Sequence, residues 1–447
     1  RHRAGDLDDA QRLYAQVIAH EPRHAAAYNN RGVALRGKGR FKEAVESFDG
    51  AIAMNPEYAD AYNNRGVALR ALGRHEEAVR SYDRAIALRA DYVNAHSNRG
   101  ASLFDLERYA EAVQAYDRAL SLDPQAADVH YNRGDALCRL NAYVDAVSSY
   151  DRAIALKPKH ADAYGNRGNA LKALNRHEEA LDSYLTALKL DPRNAGIHLN
   201  EAFCRLQLGQ FAEGWRKLEW RWQTDDLRGG RRAFSQPLWL GEEPVEGKTV
   251  LVHAEQGFGD TLQFCRLVPL LAAAGAKVIL EVQPSVTALM SSLPGAAHVL
   301  PVGAKVPSFD IHIPLMSMPL ALGVTAETVP ARPYLQADPG RVQHWSDKLG
   351  ASTKPRIGLA WSGRPTHGND RHRSMPLSTM TRLIADHLEF VSLQKDVRVG
   401  DRPALNKALA LRHFGDALGD FSETAALIEN LDLVISVDTS VAHLAGA

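Results

Sequence analysis

"YNNRGVALRGKGRFKEAVESFDGAIAMNP", Tyr28 to Pro56, returns as "YNNRGVALRALGRHEEAVRSYDRAIALRA", Tyr62 to Ala90. The offset is 34 residues, and it persists along the first half of the chain. Prolines fall at Pro22, Pro56, Pro124, Pro158 and Pro192, with Ala90 substituting once. Glycines at Gly32, Gly66, Gly100, Gly134 and Gly168 keep the spacing, as do Ala44, Ala78, Ala112, Ala146 and Ala180. Self-similarity at such a period marks an architecture in which each unit buries its apolar face only against its neighbours. Small residues at fixed places on two short helices let those helices approach closely. Proline then ends the second helix, because it cannot continue the hydrogen-bonding pattern.

This pattern resembles the tetratricopeptide repeat: an aromatic or His early in helix A, the Gly, the Ala in helix B, the closing Pro. The resemblance covers residues 1–228, read as a partial unit at 1–24 followed by six 34-residue units. It implies an α-solenoid, a superhelix whose first helices line a concave groove. One column stands two positions before the glycines: Asn30, Asn64, Asn98, Asn132, Asn166 and Asn200. An amide both donates and accepts, so a row of them can hold the backbone of an extended peptide whatever its side chains. The column resembles the asparagine ladder of the protein O-linked N-acetylglucosamine transferases, which implies a protein or peptide partner in the groove. The competing reading is that each Asn caps or bridges neighbouring helices. The adjacent column, Arg31, Arg65, Arg99, Arg133 and Arg167, is expected to pair with Asp49, Asp83, Asp117 and Asp151 in a structural role. The last unit departs: Glu201-Ala202 replaces Arg-Gly, and "EGWRKLEWRWQ", Glu213 to Gln223, gathers three tryptophans. These read as packing where the repeats meet the next domain.

Composition narrows the partners. The 447 residues suffice for two or three domains. A formal net charge of zero gives no general reason to expect nucleic acid or an anionic membrane. The longest apolar stretches are too short or too interrupted to span a bilayer. Cys138, Cys204 and Cys265 lie far apart, so neither a disulfide framework nor a zinc site is expected. The compartment these features suggest is the reducing cytoplasm. A first residue other than Met and a partial first unit lead to the expectation of a missing N-terminal segment.

After a linker at 229–247 the pattern changes. Short apolar runs, "TVLVHA" from Thr249, "KVILEV" from Lys277, "HVLPV" from His298 and "DIHI" from Asp310, alternate with helical segments. An amphipathic helix, "GRVQHWSDKLG" from Gly340, leads into a second series: "STKPRIGLAW", "EFVSLQ", "ALRHF" and "DLVISV". Such alternation predicts parallel sheets covered by helices. Two Rossmann-like halves are expected, 248–339 and 340–447, with ligands at the carboxyl ends of their strands.

Three stretches sit at such ends. In "HAEQGFGDTLQFCRLVP", His253 to Pro269, Gly257 and Gly259 permit a tight turn and Asp260 opens the next helix. Asp260 is either a functional acid or a helix cap, and the stretch fits neither the phosphate-loop nor the dinucleotide fingerprint. "AWSGRPTHGNDRHRSMP", Ala360 to Pro376, reads as a phosphate-binding loop through its N–H groups and guanidinium forks, or as a flexible surface loop. In "SVDTSVAHLAGA", Ser436 to Ala447, Asp438, Thr439 and Ser440 precede a helix, so their N–H groups are placed to hold an anion within reach of His443. Alone, this last stretch would be a helix cap with a surface histidine.

Together the three stretches resemble the lipopolysaccharide heptosyltransferase family and its relatives of the GT-B fold, over residues 248–447. The resemblance implies inverting, metal-independent sugar transfer, with the nucleotide-sugar donor on the second half and the acceptor on the first. Asp260 matches the family's proposed general base. Asp438, Thr439 and His443 match its Asp-Thr-Gly-x-x-His donor motif, with Ser440 where Gly is usual. The family's loop lysine is absent, so Arg371 or Arg373 must substitute, and the residues do not say which. Gln394 and Lys395 of "SLQKD" are expected near the nucleotide. No cofactor and no metal are expected, and the second half carries no Asp-x-Asp motif. In this fold the chain would stop before its last strand, which reads as a fragment of a longer protein. The function expected is sugar transfer to an acceptor, a protein or peptide, recruited by the repeat groove. Two alternatives stay open: an interaction scaffold with an inactive transferase-like domain, and a lipid-linked or polysaccharide acceptor.

Overall fold

The computed structural model describes residues 7–447 except 226, 228–229, 231 and 367–369; the side chains of Arg371 and His372 also lie outside the described residues. The chain forms two compact units, one up to Leu208 and the other Gly209–Ala447. That division falls earlier than the expected boundary at 228, and the tryptophan-bearing helix Phe211–Leu218 belongs to the second unit.

The first unit is entirely helical among its described residues. After Leu7–His20 come five helix pairs: Ala25–Gly37 with Phe41–Met54, Ala59–Ala71 with His75–Leu88, Val93–Asp105 with Tyr109–Leu122, Ala127–Arg139 with Tyr143–Leu156, and Ala161–Ala173 with His177–Leu190; Ala195–Gln207 comes last. The glycine column is a row of sockets. A Cβ placed on Gly32, Gly66, Gly100, Gly134 or Gly168 would come within 2.5–2.6 Å of the ring of Phe48, Tyr82, Tyr116, Tyr150 or Tyr184 respectively. The alanines at 44, 78, 112, 146 and 180 are wholly buried. Between helices A and B the chain passes through the left-handed region at Gly39, Gly73, Glu107, Asn141 and Asn175, with φ from 58° to 73°.

The expected Arg–Asp pairing is present, and it runs between units. Arg65, Arg99, Arg133 and Arg167 on helix A each reach back to Asp49, Asp83, Asp117 and Asp151 on the preceding helix B, at 2.5–2.6 Å. Arg31 has Ala15 at the corresponding position, and its Nε is buried without a hydrogen-bond acceptor among the described residues.

In the second unit, strands β1 (Thr249–His253), β2 (Lys277–Val282), β3 (Ala296–Pro301) and β4 (Ile311–Pro314) form one sheet in the order β3-β2-β1-β4. Strands β5 (Arg356–Ala360), β6 (Glu389–Ser392), β7 (Leu411–His413) and β8 (Leu433–Ser436) form another in the order β7-β6-β5-β8. All pairings are parallel. The eight expected strands are thus found, in two sheets of one topology. In each, the order reverses beside the first strand, so the crevices lie between β1 and β4 and between β5 and β8. Part of the expected linker extends the first sheet: Leu238 bridges His312 beyond the β4 edge.

A buried charge network closes the first crevice. Arg221, from the short helix Glu219–Gln223, is 1% exposed. It donates to Glu255 just beyond β1 at 3.0–3.1 Å, to Ser317 just beyond β4 at 2.7 Å, and to Glu219 at 2.7 Å. Ahead of it, the indole of Trp215 donates to the Val324 carbonyl at 3.0 Å and meets the Phe264 ring edge-on. Trp215 therefore packs, as the clustering suggests, and the Trp222 ring lies 4.7 Å from the Arg221 guanidinium. Beside β1 and β4, His253 Nε2 lies 3.2 Å from His312 Nδ1, and the Phe234 ring covers both.

Candidate functional site

The turn leaving β1 is fixed by its own side chains. Gly257 caps the helix Phe258–Phe264, and its N–H donates to Asp260 Oδ2 at 3.1 Å. Thr261 Oγ1 donates to Gln283 Oε1 at 2.9 Å, while Gln283 Nε2 donates to the Gln256 carbonyl at 2.8 Å. Asp260 therefore does cap its helix. It does more than that, because of what faces it.

The helix Ser440–Ala445, directly after β8, packs against Phe258–Phe264. A Cβ on Gly259 would lie 2.9 Å from Cδ2 of His443. Residue 259 must lack a side chain so that the imidazole can lie beside the Asp260 turn. Farther along the same contact, the Phe258 and Phe421 rings are 5.1 Å apart, and Leu444 joins the core of the first sheet. Asp260 and His443, 183 positions apart in the sequence, thus become neighbours at the carboxyl ends of β1 and β8.

Burial raises the Asp260 pKa above the ordinary carboxylate value. The Gly257 N–H, His443, its own N–H and Arg373 oppose that rise. Arg373 lies over Gly363 at the end of β5, where a Cβ would come 2.8 Å from its Nη2. The site thus combines a carboxyl group shifted toward proton acceptance with an imidazole and a guanidinium. Thr439, at the cap of the His443 helix, is buried, with its Oγ1 3.2 Å from Ser436 Oγ. Asp438 is exposed beside it and Ser440 half-buried.

Other expected site residues are engaged elsewhere. The amide of Gln394 ties the β6 end to the β5 end: Oε1 accepts from Ser362 N at 3.2 Å, and Nε2 donates to the Ser362 carbonyl at 3.0 Å. Lys395 donates to the Gly419 carbonyl at 2.7 Å. The Arg371 side chain lies outside the described residues. Two residues not singled out in the sequence hold the loop after β5: Arg398 and Asp401, whose contacts cross it at its neck and base. No spacing rule marks them, because each acts on residues more than twenty positions away.

On the repeats, the Asn column bridges units. Asn64 Nδ2 donates to Asn29 Oδ1 at 3.0 Å, Asn98 to Asn63 at 3.1 Å, and Asn166 to Tyr131 and Asp135 at 3.0 and 2.9 Å. Asn64 Oδ1 accepts from Arg36, and Asn200 Oδ1 from Lys172. Asn29 Nδ2 reaches Asn30 Oδ1 at 3.5 Å. The helix-bridging reading therefore accounts for three of the six amide donors of the column, those of Asn64, Asn98 and Asn166. Three amide oxygens of the column, those of Asn98, Asn132 and Asn166, accept no hydrogen bond among the described residues.

Models of the tetratricopeptide repeat match residues 3–52 and 34–93, 100–140 and 134–174, and 161–194. The first half of the chain is an array of these repeats. Protein FlbA of Caulobacter vibrioides is 25% identical over 270 residues, 54% of this chain and 45% of that protein, so the match spans less than half of its length. Among solved structures, YrrB, described as a tetratricopeptide-repeat protein with an unusual peptide-binding site, is 20% identical over 44% of this chain and 97% of its own, with a TM-score of 0.38. Pseudomonas aeruginosa PilF is 19% identical over 50% of this chain and 95% of its own, with a TM-score of 0.40.

Proposed function

We propose that the second unit transfers a sugar, with inversion and without a metal, from a nucleotide-activated donor to a protein or peptide brought by the repeats. The observation that carries this reading is the meeting of Asp260, His443 and Arg373 at the facing carboxyl ends of two parallel sheets. Inversion in one displacement requires a base on the acceptor hydroxyl and positive charge on the departing diphosphate. Asp260, its pKa raised by burial, is the base. Arg373, His443 and the N–H groups around Thr439 receive the diphosphate. Arg221 fills the crevice of the first sheet, which supports a donor bound at the second. The free amide oxygens of Asn98, Asn132 and Asn166 supply acceptors for backbone N–H groups of an extended acceptor chain.

Incubation of the chain with labelled nucleotide sugars and a candidate acceptor protein tests this. Transfer, or slow donor hydrolysis, is expected, and Asp260→Asn should reduce it by at least about a hundredfold. Undiminished turnover in that variant would remove Asp260 from the chemistry. Asn98→Ala is expected to raise the acceptor KM with little change in kcat. A second reading, a repeat-based scaffold with an inert α/β unit, draws on the family matches, all of which fall between residues 3 and 194. Tight capture of a partner protein with no nucleotide-sugar binding would favour it.

A further inference from the structure

We propose that Arg398 is a positioning residue: it clamps the loop after β5 and occupies Asp370, so that Arg373 is kept free to face Asp260. This rests on the reading of Asp260 and Arg373 given above, and it concerns how that pair is held.

The loop leaves β5 at Trp361 and returns at Leu377. Asp401 holds both feet: its Oδ2 accepts from the Trp361 indole at 3.0 Å and its Oδ1 from Leu377 N at 2.9 Å. Arg398, three residues earlier, holds the neck. Its Nη2 donates to the Gly363 carbonyl at 3.0 Å, to Asp370 Oδ1 at 2.6 Å and to Ser374 Oγ at 3.1 Å. Ser374 Oγ in turn donates to the same Asp370 oxygen at 2.7 Å and accepts from Gly363 N at 2.9 Å. One guanidinium nitrogen thereby joins the outgoing and returning sides of the loop, and Arg373 sits between, over Gly363.

Asp370 shows why this clamp matters to charge as well as shape. Its pKa is held below the ordinary carboxylate value, first by the hydrogen bond from Arg398, then by Ser374, with Arg373 contributing through its charge. Asp370 and Asp260 thus both feel Arg373. With Arg398 in place, Asp370 has its cation. Without it, the carboxylate is left beside Arg373, three residues along, and an ion pair between them would draw the guanidinium away from Asp260. Arg398 itself is not among the groups that shift Asp260, which are burial, the Gly257 N–H, His443, its own N–H and Arg373. Any effect of Arg398 on Asp260 must therefore pass through the loop.

The test is a titration of side-chain carboxyl 13C signals of Asp-labelled full chain, with Asp260 assigned from the Asp260→Asn variant. Arg373→Met should move the Asp260 midpoint upward, since it removes an opposing positive charge. Arg398→Met should move it upward as well, the double variant no further, and Arg398→Met with Asp370→Asn should return it toward the unmutated value. A structural defect alone would not give that restoration. The acidic limb of the pH–rate profile for sugar transfer should follow the same order, with kcat near neutral pH falling roughly tenfold in Arg398→Met. An unmoved Asp260 midpoint in folded Arg398→Met, beside a moved one in Arg373→Met, overturns the proposal. If Arg398→Met does not fold, Arg398→Lys must shift the midpoint in the same direction by less, and no shift overturns the proposal equally. The two readings fail separately. Shifted midpoints without any transfer by the unmutated chain would end the transferase reading and leave the clamp. Transfer with unshifted midpoints would end the clamp alone.

Discussion

A methyl group added at Gly66 would lie 2.5 Å from a carbon of the Tyr82 ring, closer than real carbon contacts allow. Helix A or the ring must then move, and overpacking of this kind costs about 1–3 kcal/mol. Gly66→Ala is therefore expected to lower the urea midpoint without changing the m-value. Glu107 poses the opposite case. It holds a left-handed φ of 60° at the turn where three other units have glycine, at 39, 73 and 209. The backbone penalty there is about 1–2 kcal/mol, part of which glycine returns to the unfolded chain, so Glu107→Gly should stabilise by about 0.5–1 kcal/mol. His253 gives a pH signature. Burial, then His312, Arg232 and Arg221, depress its pKa to about 3, below the unfolded value of about 6.5. Between these values the unfolded chain binds the extra proton, so stability must fall as pH is lowered through that window. Denaturation at pH 6.5 and pH 5 should show a loss about 1.6 kcal/mol larger in the unmutated chain than in His253→Gln, because the unfolded imidazole is already half protonated at pH 6.5.

Among elements, pairing that looks alike differs in worth. The Arg–Asp links between repeats lie at the surface, with the Asp117 side chain 51% exposed, and Asp117→Asn should cost under about 1 kcal/mol. The Arg221 network is sealed, and Arg221→Ala would strand Glu255 without its cation, at a cost of about 3–5 kcal/mol. Thermal denaturation of the two variants separates the cases. The same contrast explains what could be read ahead of the structure. Helix pairs were legible because each unit restates its neighbour, and the Arg–Asp links because both columns recur at one spacing. Strands were legible as short apolar runs between helical stretches. The left-handed turns at Glu107, Asn141 and Asn175 were not, since those residue types are common in helices and loops alike. Arg221 with Glu255, and Arg398 with Asp370, are single pairs that no repeat restates. At the candidate site, the nearness of Asp260 and His443 came from a family resemblance; nothing local to either residue signals the other. Gln394 and Lys395 were expected at the nucleotide because they end a strand, yet the backbone nearby also needs partners, and it has taken them.

For the molecule as a whole, two compact units with separate cores predict separable unfolding. Calorimetry is expected to resolve more than one transition, with Gly66→Ala moving one and Arg221→Ala another. A single transition shifted by both variants would contradict this. Within the first unit, the glycine sockets join the two helices of each repeat, and the polar locks run from one repeat to the next in the same register: Arg99 to Asp83 and Asn98 to Asn63. Excising residues 59–92, one whole period, would bring Arg99 against Asp49, Asn98 against Asn29 and Asp105 against Arg36, at the loss of the His75–Asp105 contact, whose place Phe41 takes. The array can thus be shortened or lengthened in cassettes without redesigning a joint, and its reach becomes a quantity that gene duplication can set.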